Sequence, residues 1–241
     1  MVTLKMAIIF LMEQIRTPFS LIWTIMSPTV LFFFLHFNEI ELHYGDTAWL
    51  GKQISWFVGY ISFSVVLFNY CLYLVGRRES GFIATFVHNM DGRLLFIRSQ
   101  LIASLIMSIL YVLFFILVVL TGFQASPDYQ IVMIILKSIY INAFMMVSLT
   151  FMASFRVTFQ TASTIYSVLI TVCMVSGIVS LKYNEGIVYW INQVNPIAIY
   201  STILQSDQEL SLMTIFFYSI MLIISIISAL TFKTEPVWSS Q

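Results

Sequence analysis

Six runs of apolar residues, each about twenty residues long, constrain this chain more than any other feature of its sequence. A helix needs about 20 mostly apolar residues to cross the hydrocarbon layer of a membrane. Only 9% of the residues are charged, whereas soluble domains carry about 25%. The sequence therefore predicts an all-α membrane protein, with one transmembrane domain over residues 1–241 and six transmembrane helices. The predicted spans are 19–37, 54–75, 99–120, 131–153, 159–181 and 211–232.

Lysine and arginine are unevenly distributed between the segments that flank these spans. With the N-terminus inside the cell, eight of them fall on the cytoplasmic side and two outside, while Lys137 lies within the fourth span. Cytoplasmic loops carry the excess of these residues in membrane proteins. We therefore expect a multi-pass protein with both termini in the cytoplasm. The cytoplasmic set is Lys5, Arg16, Arg77, Arg78, Arg93, Arg98, Arg156 and Lys233, and the outer pair is Lys52 and Lys182.

Residues 1–16 do not resemble a secretory signal, because polar residues interrupt the apolar run and no small-residue cleavage site follows. Their apolar residues fall instead on one face of a helix, with Lys5 and Glu13 away from that face. This pattern is typical of a helix that lies in the membrane interface, although a simple extension of the first span also fits it. The apolar face consists of Leu4, Ile8, Leu11, Met12 and Ile15.

The connection at 182–210 contains two short apolar pieces, 187–194 and 197–204, which are separated by Asn195 and Pro196. Each piece would be roughly 12 Å long as a helix, which is too short to cross a bilayer. We expect two re-entrant helices that enter the membrane from outside and turn back at Asn195-Pro196. A plain outer loop, with Tyr189 and Trp190 at the interface, is the alternative.

The sequence lacks the motifs of the common catalytic sites. It contains no G-x-x-x-x-G-K-[ST] phosphate-binding loop, no H-E-x-x-H motif and no G-x-S-x-G motif. The three histidines are far apart in sequence and the two cysteines lie inside predicted spans, so neither a metal site nor a disulfide is expected. A net charge of zero gives no reason to expect a nucleic-acid partner. We therefore expect a chain that is not an enzyme and holds no cofactor of its own.

A few polar residues lie within the predicted spans, where such residues often mark a functional path. Lys137 is close enough to the outer end of its span to extend its amine to the membrane surface, or it could line a substrate path. Asn69 and Asn142 could form hydrogen bonds between helices, which is the commoner use, or line the same path.

The most polar long stretch is GRRESGFIATFVHNMDGR, residues 76–93, between the second and third spans. Its apolar residues recur at helical spacing, Ser80 could cap the start of a helix, and Gly92 could follow its end. The pattern predicts a short helix on the cytoplasmic side, parallel to the membrane. The apolar residues of this helix are Phe82, Ile83, Phe86, Val87 and Met90.

These features together resemble the permease subunits of ABC-2 type exporters. The resemblance rests on an amphipathic N-terminal helix before a first span that contains Pro28, and on the Asn195-Pro196 pair before the last span. It also rests on Arg78, Glu79 and Gly81, which match an R-E-x-G segment of that family in part, because the usual threonine follows only at position 85.

The resemblance implies that residues 76–93 form a coupling helix, which docks on a separate ATPase subunit. Two copies of that ATPase would bind ATP and Mg²⁺, and this chain would pair with a second permease, the same or a related one, in a bacterial plasma membrane. The residues implied in ATPase contact are Arg77, Arg78, Glu79, Phe82 and Phe86.

The compact form of the chain resembles small bacterial exporters of peptide toxins, such as the type that exports phenol-soluble modulins. The resemblance therefore implies an amphipathic peptide or a lipid-like molecule as cargo, and resistance to antimicrobial peptides as a second effect. A membrane-embedded immunity or scaffold protein that does not transport anything is the alternative.

Overall fold

The computed structural model describes residues 2–16, 18–83, 89–180, 185–205 and 212–232. Within these ranges the chain is helical and contains no β-strand, so the predicted all-α class is confirmed. The helices are α1 (Val2–Ile15), α2 (Pro18–Leu35), α3 (Thr47–Glu79), α4 (Met90–Gly122), α5 (Tyr129–Ser154), α6 (Phe159–Ser180), α7 (Gly186–Val194), α8 (Pro196–Gln205) and α9 (Leu212–Leu230).

The long helices run back and forth between two ends of one bundle. The start of α3 meets the end of α4, where the Gly45 amide donates to the carbonyl oxygen of Phe123 at 3.1 Å. At the opposite end, Arg93 in the first turn of α4 donates to the carbonyl oxygen of Leu230 in α9 at 3.0 Å. We call one end the arginine end, after Arg77, Arg78, Arg93 and Arg156, and the other the histidine end, after His36 and His43.

Among the described residues, four helices are long and apolar enough to cross a membrane, which is compatible with a multi-pass membrane protein. They are α3, α4, α5 and most of α6, whereas the described apolar parts of α2 and α9 are shorter, Thr24–Leu35 and Thr214–Leu230. The most apolar section of α3 is 83% buried inside the bundle, and that of α6 is only 28% buried. Helix α3 is therefore the central helix, and α6 lies at the periphery.

Small residues let α8 pack closely on the central helix α3. A methyl group added at Gly59 would come within 2.9 Å of the carbonyl oxygen of Ile197 and 2.8 Å of the Tyr200 Cβ atom. Such distances are too short for any other residue type, so Gly59 sets the separation of the two helices. Beyond this contact, α3 contains a π-helical section, Val65–Leu72, which is important for the site described below.

Helix α1 packs on α4 through a face that the hydrophobic pattern did not predict. The buried residues are Ala7, Phe10 and Gln14, and the Phe10 ring contacts those of Tyr73 and Phe96, with centroids 5.7 and 5.4 Å away. Most of the predicted apolar face points away from the bundle: Leu4, Ile8, Met12 and Ile15 are exposed. This arrangement suits a helix whose apolar side contacts lipid, and its orientation relative to a membrane stays a prediction.

The segment before the last long helix contains two short helices, α7 and α8, with Asn195 between them. Their bounds agree with the two apolar pieces seen in the sequence, and their insertion into a membrane stays a prediction. Residues 181–184 and 206–211 lie outside the described ranges.

The start of α4 corrects the expectation for the segment 76–93. Helix α4 begins at Met90, well before the predicted start of the third span at residue 99, and Gly92 lies inside it. The Asn89 side chain caps this helix by accepting the Gly92 amide at 2.8 Å. Met90 and Gly92 therefore do not belong to the end of a separate short helix. Ser80 follows the last turn of α3, and its hydroxyl donates to the Arg77 carbonyl oxygen at 3.0 Å. Phe82 and Ile83 after it are helical, and the rest of the predicted short helix up to residue 88 lies outside the described residues.

Candidate functional site at the arginine end

The guanidinium of Arg78 is buried at the end of α3 and ties this helix to the connection between α5 and α6. Arg78 is 1% exposed. Its Nη1 atom donates to the carbonyl oxygen of Ala153 at 3.1 Å, and its Nη2 atom donates to that of Val157 at 2.9 Å. The planar guanidinium of Arg78 points two N–H donors at the two carbonyl oxygens together, and a lysine ammonium could not bind both with the same geometry.

The neighbouring Arg77 ties the same end of α3 to α1. Its guanidinium forms an ion pair with Glu13 and donates to the Tyr73 hydroxyl at 2.9 Å. The Tyr73 hydroxyl in turn donates to Glu13. The guanidinium also lies over the rings of Tyr73 and Phe82, with centroids 5.1 and 4.7 Å away. The tandem arginines thus bind neighbouring elements on two sides of α3.

The electrostatics of this cluster favour an ionised Glu13. Burial alone would raise the pKa of its carboxyl group. Hydrogen bonds from Arg77 and Tyr73 and the positive charge of Arg77 outweigh the burial, so the pKa of Glu13 lies below its usual value. Because the Glu13 side chain is 42% exposed, solvent screens part of this attraction.

The other residues implied in ATPase contact have different surroundings. Glu79 is 13% exposed and lies next to Arg78, with a carboxylate oxygen 3.5 Å from Nε. Phe82 is half-buried against Arg77 and the core. Phe86 lies outside the described residues. The four described residues are therefore brought together, with most of their polar atoms bonded inside the chain.

The π-helical section of α3 presents one backbone carbonyl to its neighbours, close to this cluster in sequence. The carbonyl oxygen of Asn69 accepts hydrogen bonds from Gln100 Nε2 at 2.7 Å, Ser104 Oγ at 3.0 Å and Gln14 Nε2 at 3.4 Å. Two of the donors belong to α4 and one to α1. The Asn69 side chain donates to the Tyr111 hydroxyl at 3.4 Å.

Asn142 joins three helices in the middle of the bundle. It is fully buried, its Nδ2 atom donates to Ser108 at 2.8 Å, and its Oδ1 atom accepts from the Tyr200 hydroxyl. Asn69 and Asn142 therefore both form hydrogen bonds between helices, and Lys137 is half-buried on α5. A substrate path along these three residues stays a prediction.

The Asn195-Pro196 pair is fixed to α6. The Asn195 side chain is 3% exposed and donates to the carbonyl oxygen of Cys173 at 2.8 Å and to the Ser176 hydroxyl at 3.0 Å. Its Oδ1 atom accepts the amide of Ile197 at 3.0 Å, which caps the start of α8. The turn between α7 and α8 is thus built by one buried asparagine.

The two histidines that the structure describes, His36 and His43, lie away from the arginine end. His36 contacts Glu39 at 2.6 Å and His43 contacts Asp46 at 3.2 Å, each within its own stretch of the loop before α3. In the part of the chain that the structure describes, no group of three or more His, Cys, Asp and Glu residues is placed to hold a metal ion.

No family model and no solved structure matches the chain.

Proposed function

We propose that this chain is the transmembrane permease subunit of an ABC exporter of the ABC-2 type, which crosses a bacterial plasma membrane six times with both termini in the cytoplasm. The observation that carries this proposal is the attachment of the end of α3 to its neighbours by Arg77 and Arg78. The same arginines belong to the segment whose sequence resembles the coupling region of that family.

The attachment suits a segment that receives a force. Arg78 binds the α5–α6 connection and Arg77 binds α1. Arg93, at the far side of the segment, binds the end of α9. A displacement of residues 80–93 would therefore act on these helices together. Coupled rigid-body movement of this kind is a common way in which assemblies switch between two states.

The energy source would be a partner, because the chain contains no phosphate-binding loop. Two ATPase subunits would bind ATP and Mg²⁺ and drive a pair of permeases, formed by this chain with itself or with a related one. In this proposal Arg78 and Glu79 act as internal ties at the arginine end. Exposed residues of the same segment, such as Met90, then provide the contact surface, together with the exposed part of Arg77.

The cargo that we propose is an amphipathic peptide or a lipid-like molecule. The chain contains 13 methionines and 16% aromatic residues, which form adaptable apolar surfaces. Export of toxic peptides and resistance to antimicrobial peptides would both follow from this cargo class.

Co-purification with the ATPase encoded beside the gene for this chain tests the proposal. Met90 is exposed at the first position of α4, so Met90→Asp adds a charge to the proposed contact surface where an acidic residue favours the helix. We expect this variant to weaken ATPase binding at least tenfold. Leu42→Asp is the matched control, because Leu42 is 78% exposed at the histidine end, and it should bind as the wild type does.

Two results would count against the permease. One is the absence of any ATPase from preparations made in native lipid, which would favour the non-transporting scaffold. The other is equal weakening by both variants, which would show that the contact does not involve the arginine end.

A further inference from the structure

The π-helical section of α3 changes the register of the helix by one residue. The amide of Tyr73 donates to the carbonyl oxygen of Tyr70 instead of that of Asn69, four residues back. A π turn accommodates one more residue than an α-helical turn, and such turns often mark functional positions. The Asn69 carbonyl oxygen, which does not accept the Tyr73 amide, is the atom that Gln100, Ser104 and Gln14 bind.

These donors stabilise the π register. Gln100 and Ser104 are both fully buried on α4, so their polar atoms have no access to water. A buried carbonyl without a donor is costly, and the donors remove that cost for Asn69 only while its carbonyl lies outside the helix. In an uninterrupted α-helix the same oxygen would accept the Tyr73 amide.

The alternative α register would move every residue after the π section by one position, a rotation of about 100° and a rise of about 1.5 Å. Arg77 would then take the place that Arg78 now has beside Ala153 and Val157. Gly76 would take the place of Arg77. The tandem arginines therefore allow a guanidinium to bind the α5–α6 connection in either register.

The polar contacts between α1 and α3 do not survive this shift. Glu13 would face Gly76 instead of Arg77, so its ion pair would be lost. Gln14 would lose its acceptor, because the Asn69 carbonyl would bind the Tyr73 amide. Tyr73, which also donates to Glu13, would move away as well. All three polar contacts that join α1 to α3 thus depend on the π register.

We propose that α3 is a switch with two registers, in which the π register ties α1 to α3 and the α register breaks these ties and loosens α1 on α4. The proposal does not depend on the transport function, because it follows from the contacts alone. A steric cost opposes the α register: Val75 would replace Gly76, where an added methyl would lie 3.2 Å from the Phe159 ring. That ring is 48% exposed and has room to turn away.

Two changes to the chain separate the registers experimentally. Gln100→Leu with Ser104→Ala removes the α4 donors, touches no residue of α1, and should favour the α register. Deletion of Phe68, which is half-exposed whereas its neighbours in the π section are buried, removes the extra residue. The shortened α3 is then a straight α-helix that keeps both arginines in their present places.

The readouts are hydrogen–deuterium exchange of residues 2–16 and the melting temperature, both for the full chain in lipid nanodiscs. The variant with Gln100→Leu and Ser104→Ala, which we call the donor-free variant, should exchange its α1 amides at least tenfold faster than the wild type. Deleting Phe68 from that variant should restore the slow exchange. Arg78→Gln should lower the melting temperature more than Arg77→Gln in the wild type, and less in the donor-free variant.

Unchanged α1 exchange in the donor-free variant would overturn the proposal. The proposal would also be overturned if Arg78→Gln lowered the melting temperature more than Arg77→Gln in the donor-free variant, as it should in the wild type. If the donor-free variant does not fold, deletion of Phe68 must restore folding, because the carbonyl is then bonded within the helix. A doubly altered chain that still does not fold would also overturn the switch.

Discussion

Replacing Arg78 with glutamine should destabilise the chain more than any other loss of an arginine at that end. The substitution removes two hydrogen bonds from a charged donor, worth about 1.5–3 kcal/mol each. It also leaves Glu79, 13% exposed, without its positive partner. Loss of one member of a buried ion pair costs about 3–5 kcal/mol. Taking about 4 kcal/mol, and about 2–4 °C per kcal/mol for a chain of this size, the melting temperature should fall by about 10 °C.

The assay is thermal unfolding in nanodiscs, followed by size-exclusion chromatography of the fraction that remains monodisperse. Arg156→Gln is the matched control, because Arg156 is an exposed arginine near the same connection, and its loss should change the melting temperature by less than about 2 °C. Arg78→Lys should fall between the two, since an ammonium group keeps the charge without the planar pair of donors. Equal melting temperatures for Arg78→Gln and Arg156→Gln would refute the buried tie.

Three further predictions follow from contacts elsewhere in the bundle. Gly59→Ala should lower the free energy of unfolding by about 1–3 kcal/mol, because its methyl group clashes with α8. Gly51→Ala should be tolerated, because its added methyl would have no neighbour closer than 3.6 Å. Equal unfolding temperatures for the two variants would contradict this prediction. Asn142→Leu should lower the free energy of unfolding by about 1–3 kcal/mol. The double variant with Tyr200→Phe should lose less than the sum of the two single losses. Fully additive losses would contradict the hydrogen bond between Asn142 and Tyr200. The pKa of Glu13 is lower in the folded chain than its usual value. The ionised carboxylate therefore stabilises the folded chain when the pH is above the usual pKa of about 4.3, and this stabilisation is lost as the pH falls through the lowered pKa. The protection of the α1 amides, measured as the intrinsic exchange rate divided by the observed rate at the same pH, should therefore fall in that acidic range in the wild type and stay constant in Glu13→Gln.

The sequence predicts helix class and helix positions well where apolar length decides them. The start of α3 lies earlier than predicted because its first two turns contain the polar residues Lys52 and Gln53, which hydropathy excludes from a span. Asp46, whose side chain accepts the Trp49 amide at 3.1 Å, is the cap that could have located this start. Asn89 is the corresponding cap for α4. The apolar residues before it recur at helical spacing, so the sequence predicted a helix that continues through Asn89 instead of one that begins after it.

The arginine end was less predictable, because its contacts depend on tertiary structure. The sequence singles out the tandem arginines, whereas their partners Glu13, Ala153 and Val157 are distant in the chain. Gln14 was missed since a polar residue in a short apolar helix is normally expected to face water. It is buried here because its amide donates to the Asn69 carbonyl oxygen in the π section of α3, and the spacing of apolar and polar residues does not predict a π turn.

ATP-dependent peptide uptake by inside-out membrane vesicles tests the proposed function most directly. The vesicles would contain this chain, the neighbouring ATPase, or both, and would be given a fluorescent amphipathic peptide with and without ATP. The permease account predicts uptake only when both proteins and ATP are present, with at least a tenfold reduction for Met90→Asp and none for Leu42→Asp. If this chain alone protected the vesicles against the peptide, without ATP and without the ATPase, that result would contradict the permease account.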